Sequence, residues 1–112
     1  MLKKRFFKTK PECEVSFELA HAPARTVELV CESNGWEPIA MKRAGNDRFR
    51  ARVRLPDERR YQFRYLVDGM TWVNDEAADA YQRNEFGGEN SVLSTARPGS
   101  AATGRGGSSA MQ

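Results

Sequence analysis

Apolar and polar residues alternate with a period of two along most of the chain. Val15, Phe17 and Leu19 alternate with Glu14, Ser16 and Glu18, and Val27, Leu29 and Cys31 alternate with Thr26, Glu28 and Val30. Phe49, Ala51, Val53 and Leu55 stand against Arg48, Arg50, Arg52 and Arg54, and Tyr61, Phe63, Tyr65 and Val67 against Gln62, Arg64, Leu66 and Asp68. Strict alternation predicts strands with one buried face, as in antiparallel sheets. A short last strand fits Ser91 to Thr95. Turn formers separate these runs at Ala22-Pro23, Asn34-Gly35, Gly45-Asn46-Asp47, Pro56-Asp57, Asp68-Gly69 and Gly87-Gly88. Asp-Gly between Val67 and Trp72 is a strong hairpin signal. Residues 75–82 have helical propensity for two turns at most. Short strands with turns every few residues predict an all-β, immunoglobulin-like antiparallel sandwich.

The 112 residues suffice for one domain. Six Phe, three Tyr and two Trp are more aromatics than a disordered chain carries. Composition divides the chain into a basic N-terminal segment over 1–12, the sandwich over 13–96, and a Gly/Ser/Ala-rich tail over 97–112 expected to be disordered. The formal charge of +3 comes largely from Lys3, Lys4, Arg5, Lys8 and Lys10, an excess that permits contact with a polyanion without requiring it. No apolar run is long enough to span a bilayer, and no apolar segment follows the basic start as in a signal peptide. The expectation is therefore a cytoplasmic protein with no membrane partner. Cys13 and Cys31 could face each other if the first two strands pair as a hairpin. Without a secretion signal they are expected as reduced, buried thiols.

Catalytic chemistry finds little support. His21 is the only histidine and has no nucleophile at a meaningful spacing. Asp75, Glu76 and Asp79 match no calcium loop, and two cysteines with one histidine do not complete a zinc site. No cofactor is implied. The stripe Arg48, Arg50, Arg52, Arg54 reads as a solvated outer face, because no stacking aromatics interleave with it as single-strand nucleic-acid binding requires. Trp36 and Trp72 are more informative. Each follows turn residues, and a large aromatic there is either a core plug or an exposed platform. Sugar rings stack their C–H faces on such platforms while their hydroxyls need nearby donors and acceptors.

Five segments in order resemble the family-48 carbohydrate-binding modules, which include the early-set domain of isoamylases and branching enzymes. The glycogen-binding domain of the AMP-activated kinase β subunit is similar. The segments are Ser33-Asn34-Gly35-Trp36; Pro38 to Met41 followed by Asn46-Asp47-Arg48-Phe49; Val53-Arg54-Leu55-Pro56; Tyr61 through Gly69 with Trp72 after it; and Asn84 through Leu93. The resemblance implies a non-catalytic, monomeric module that binds α-glucan such as glycogen, starch or a maltooligosaccharide, and not nucleic acid. It implies that Trp36 and Trp72 clamp the sugar, that Arg64 and Asn90 bond its hydroxyls, and that Phe86 wedges against it. The alternative is an interaction module serving a glucan-metabolising enzyme, with the fold kept and sugar binding lost. Accessory domains of this kind accompany family-13 glycoside hydrolases, whose catalytic barrel needs about 250 residues and cannot fit in this chain.

Overall fold

The computed structural model describes residues 1–21, 23–45 and 47–98. The turn residues Ala22 and Asn46, and the expected tail apart from Arg97 and Pro98, lie outside the described residues. Among the described residues ten strands form two antiparallel sheets. They are β1 (Leu2–Phe6), β2 (Glu12–Ala20), β3 (Val27–Cys31), β4 (Ile39–Ala40), β5 (Lys42–Arg43), β6 (Arg48–Pro56), β7 (Arg60–Val67), β8 (Thr71–Val73), β9 (Ala80–Arg83) and β10 (Glu89–Ser94). The first sheet runs β1-β2-β6-β5 and the second β4-β3-β7-β10-β9, with β8 also paired to β7. The fold is an all-β sandwich of immunoglobulin-like type, and the described residues contain no α-helix.

Alternation drives the packing. Cys13, Val15, Phe17, Phe49 and Leu55 of the first sheet meet Leu29, Phe63, Tyr65, Val67 and Leu93 of the second in one buried cluster. Phe63 is fully buried, and its ring meets Phe17 edge-on at 5.1 Å between centroids and Tyr65 at 5.7 Å. Such edge-to-face contacts suit the ring quadrupoles and add to area burial. The four arginines at 48, 50, 52 and 54 are exposed on the far side of β6. Glu18 sits between Arg48 and Arg50, at 3.2 and 2.9 Å. The Arg50 bond and the surrounding positive charge hold its carboxyl below the ordinary range.

Four expectations change. Val53 is only half-buried. β5 pairs only with Arg50 and Phe49, so β6 from Ala51 onward is a sheet edge and its inner face is open at the flank. β2 and β3 do not pair. The connection between them crosses from one sheet to the other, so Cys13 and Cys31 belong to different sheets, both buried and free. Burial raises the pKa of both thiols. The weak helical propensity of 75–82 produces no helix, in keeping with the sequence, and residues 80–83 pair with β10 instead. Before residue 13 the structure has the strand β1, whose Leu2 and Phe6 pack against the core. Arg97, at the start of the expected tail, is held by Asp57, by the Lys10 carbonyl at 2.5 Å and through its own N–H by Glu58 at 2.9 Å.

Candidate functional site

The outer face of the second sheet carries the site. Val30 on β3, Gln62 and Arg64 on β7, and Asn90 on β10 are the residues that alternate with the core set. Trp72, the middle residue of β8, is opposite Leu66 and shares this face. The hairpin that delivers it turns at Asp68 and Gly69, with φ of 53° and 69°. Two left-handed residues in succession make the mirror-image turn whose twist matches the strands, which is why Asp-Gly stands there.

Trp36 arrives from a loop. A single 3-10 turn, Glu32–Asn34, ends at Gly35 in the left-handed region. Trp36 follows with φ of 67°, and its N–H donates to the Cys31 carbonyl at 3.0 Å. Two left-handed residues fold the chain back sharply and leave the indole 41% exposed, beside Trp72 at 47%. A non-glycine residue with positive φ is strained, and strain of this kind collects at functional sites. Phe86 stands at the tip of the β9–β10 hairpin and is 88% exposed.

These side chains line one cleft of about 720 Å³, with Trp36, Trp72, Arg64, Phe86 and Asn90 among its walls and Val30 at its base. All five residues expected from the sequence are brought together there. Both tryptophans are exposed, so neither is buried in the core between the sheets. The Arg64 guanidinium lies 5.4 Å from the centre of the Trp72 ring, a cation–π distance that holds ring and charge in one orientation. Its Nε is buried and has no hydrogen-bond partner among the described residues. A buried donor without an acceptor is costly, and a ligand oxygen would satisfy it.

Sequence reading left other lining residues unassigned, among them Gln62, Gln82 and Asn84 and the charged Arg83 and Glu85. Asn84 organises the hairpin tip: its Oδ1 accepts the N–H groups of Phe86 at 2.9 Å and Gly88 at 3.1 Å, and its Nδ2 donates to Asn90 Oδ1 at 3.3 Å. Asn90 Nδ2 donates in turn to Gln62 Oε1 at 2.9 Å. Gln82 lies across from Asn90 on β9. Gln62 was visible in principle, being two residues before Arg64 on the same strand face. Asn84 and Gln82 depend on the β9 pairing, which carries no alternation signal.

The other candidates serve structure. Asp75 is buried and accepts from the Tyr65 hydroxyl at 2.7 Å and the Ala77 N–H at 2.8 Å, and it pairs with the Met1 ammonium. Burial first, then this bond, pushes the Tyr65 pKa upward. Asp79 accepts from Lys4 Nζ at 2.5 Å and the Ser94 N–H at 2.7 Å. Among the described residues no group of three His, Cys, Asp or Glu side chains is placed to hold a metal. His21 is half-buried, lining a separate depression with Glu18 and Glu76. No helix among the described residues is long and apolar enough to cross a membrane.

No family model matches the chain, and no curated protein matches it in sequence. Among solved structures it is similar to the enterobactin esterase of Shigella flexneri crystallised with 2,3-di-hydroxy-N-benzoyl-serine, at a TM-score of 0.68 and 13% identity over 84% of this chain and 32% of that one. It is also similar to the ferric enterobactin esterase of Salmonella typhimurium, at a TM-score of 0.68 and 16% identity over 84% of this chain and 34% of that one. The chain spans about a third of the length of these esterases. At such identities the likeness is one of fold.

Proposed function

We propose that the chain is a non-catalytic α-glucan-binding module in which sugar stacks on Trp36 and Trp72. One observation carries the reading: five residues from three of the matching segments, each assigned a sugar-binding role by resemblance, line a single open cleft. The chemistry suits a neutral polyol. The indoles offer apolar faces for ring C–H groups, Phe86 extends the apolar surface, and Arg64 with Asn90 supplies donors and acceptors for hydroxyls. Stacking and net hydrogen bonds of about 1 kcal/mol each, opposed by association entropy, set the affinity for a short maltooligosaccharide at roughly micromolar to millimolar. A cytoplasmic location belongs to this reading, supported by two buried, unpaired cysteines.

A second reading draws on the solved structures of similar fold, in which the matched part is about a third of a longer chain. Here the tryptophans would cover a partner such as a glucan-metabolising enzyme. Titration with maltoheptaose, together with affinity electrophoresis in glycogen gels, separates the two. Glucan binding predicts heat on titration, and retention that Trp36→Ala and Trp72→Ala each abolish. Absence of heat and of NMR shifts at millimolar sugar would reject it in favour of the interaction module.

A further inference from the structure

The outer face of the second sheet does not end at the tryptophan cleft. Along β7 and β10 the next outward positions are Gln62 and Val92, directly opposite each other, and beyond them lies Arg60 opposite Ser94. A second depression of about 260 Å³ sits there, lined by Arg60, Gln62, Gln82, Val92, Glu32 and Tyr61, whose side chain is buried in the core and offers no open ring face. Gln62 and Gln82 border both hollows, so the two are continuous across a shared amide wall. Val92 is 3% exposed yet stands outside the core cluster between the sheets, and Val30 holds the same position under the first hollow at 5%. Each valine is the apolar floor of a groove walled by polar side chains.

The chemistry of the second hollow is that of the first without its aromatic platforms. It presents an apolar floor, two primary amides and the Arg60 guanidinium. The Glu32 carboxylate is already engaged, through one oxygen, by the Gln62 N–H at 2.8 Å. Planar amides and a guanidinium suit vicinal hydroxyls. Without a stacking surface such a hollow holds a sugar weakly by itself. It holds one well when the sugar is tethered to a unit already clamped next door, because the second contact is then intramolecular. The two hollows lie two residues apart along the strands, about 7 Å, a separation short enough for one continuous chain to occupy both.

We propose that the Arg60–Gln62–Gln82 hollow is an extension subsite that takes the continuation of the α-glucan chain stacked on Trp36 and Trp72. The groove then selects for internal stretches of a long chain over a short oligosaccharide. This proposal rests on the glucan-binding reading.

The test is a titration of the intact chain and of Arg60→Ala with maltotriose and with maltoheptaose. A longer sugar also gains statistically by offering more registers, so length dependence in the wild type decides nothing alone. The diagnostic is its response to the variant. Arg60→Ala is expected to weaken maltoheptaose about fivefold, the worth of one net hydrogen bond, and to leave maltotriose unchanged. Arg60 is exposed, so the thermal midpoint should not move. NMR gives a second readout on the unmodified protein: maltoheptaose should shift the amide signals of Arg60 and Val92, and maltotriose only those around the tryptophan cleft. Equal affinities of Arg60→Ala and wild type for maltoheptaose, with Arg60 and Val92 signals unmoved, would overturn the extension and leave the tryptophan site standing. Failure of both sugars to bind the wild type would remove the glucan reading and the extension together.

Discussion

Asp68 shows how one side chain serves both a turn and a sheet. Its Oδ1 accepts the N–H groups of Arg25 at 2.7 Å and Thr26 at 2.9 Å, and its own N–H donates to the Thr26 carbonyl at 2.9 Å. The hairpin that presents Trp72 is thereby tied to the start of β3. The bond from Thr26, then that from Arg25, pulls the Asp68 pKa down. A folded-state pKa below the unfolded one stabilises the fold at pH values above the unfolded pKa, and that stabilisation disappears as pH falls through the folded value. Asn at this position keeps the acceptor oxygen and tolerates positive φ, so Asp68→Asn removes the charge and little else. The gap in thermal midpoint between wild type and Asp68→Asn is expected to hold steady from neutral pH to about 5 and to shrink as pH drops below about 4. Glu18 titrates in the same range but is common to both proteins and cancels. A gap that stays constant to pH 2 would show that the charge contributes nothing. Trp36 offers a second residue-scale test. Its φ of 67° penalises any Cβ, so Trp36→Gly should be about 1 kcal/mol more stable than Trp36→Ala in denaturant titration, while both lose the sugar platform.

At the scale of elements, β2, β3, β6, β7 and β10 were legible because one face of each is buried in the sandwich, and burial is what writes alternation into a sequence. The short strands β4, β5, β8 and β9 carry no such signal. Each lies at an edge, pairs over only two to four residues and keeps much of its surface in water. β1 was hidden by its basic residues, although Leu2 and Phe6 follow the period. Alternation also assigns the faces of a strand without assigning its sheet, which is why Cys13 and Cys31 looked like possible neighbours. The site was legible differently. Trp36, Trp72 and Phe86 are large apolar residues in turn or edge contexts, where nothing in strand periodicity accounts for them. Asn84 and Gln82 look like ordinary polar residues until β9 is paired. The separation of the cysteines has a measurable consequence. Thiolates are the reactive species, and burial raises both pKa values, so native protein should alkylate slowly and denatured protein should yield two thiols per chain. Recovery of fewer than two from freshly lysed, denatured protein would show that one or both are oxidised in the cell.

For the molecule as a whole, the core and the cleft occupy opposite faces of the second sheet. Phe63 points inward, between Gln62 and Arg64, which point outward. Stability and binding should therefore respond to different substitutions although they share a strand. Phe63→Ala leaves a cavity where the Phe17 and Tyr65 rings meet it, and such truncations cost about 3–5 kcal/mol. In a domain of this size that lowers the thermal midpoint by more than about 10 °C. At temperatures where the variant remains folded, its outer face is unchanged, and maltoheptaose affinity should stay within about twofold of wild type, well under the worth of one net hydrogen bond. Trp72→Ala should do the reverse. The residue is 47% exposed and its ring makes a cation–π contact with the Arg64 guanidinium, so the midpoint should move by only a few degrees, while affinity falls at least tenfold from loss of both the platform and the Arg64 orientation. Differential scanning calorimetry with and without sugar reads both quantities in one experiment, because a ligand that binds only the folded state raises the midpoint by an amount that grows with the logarithm of its affinity. Sugar should raise the midpoint of Phe63→Ala as it does the wild type's and leave that of Trp72→Ala where it is. A large drop in midpoint for Trp72→Ala without sugar would mark the indole as a structural support, and the cleft would then be better read as a surface for another protein.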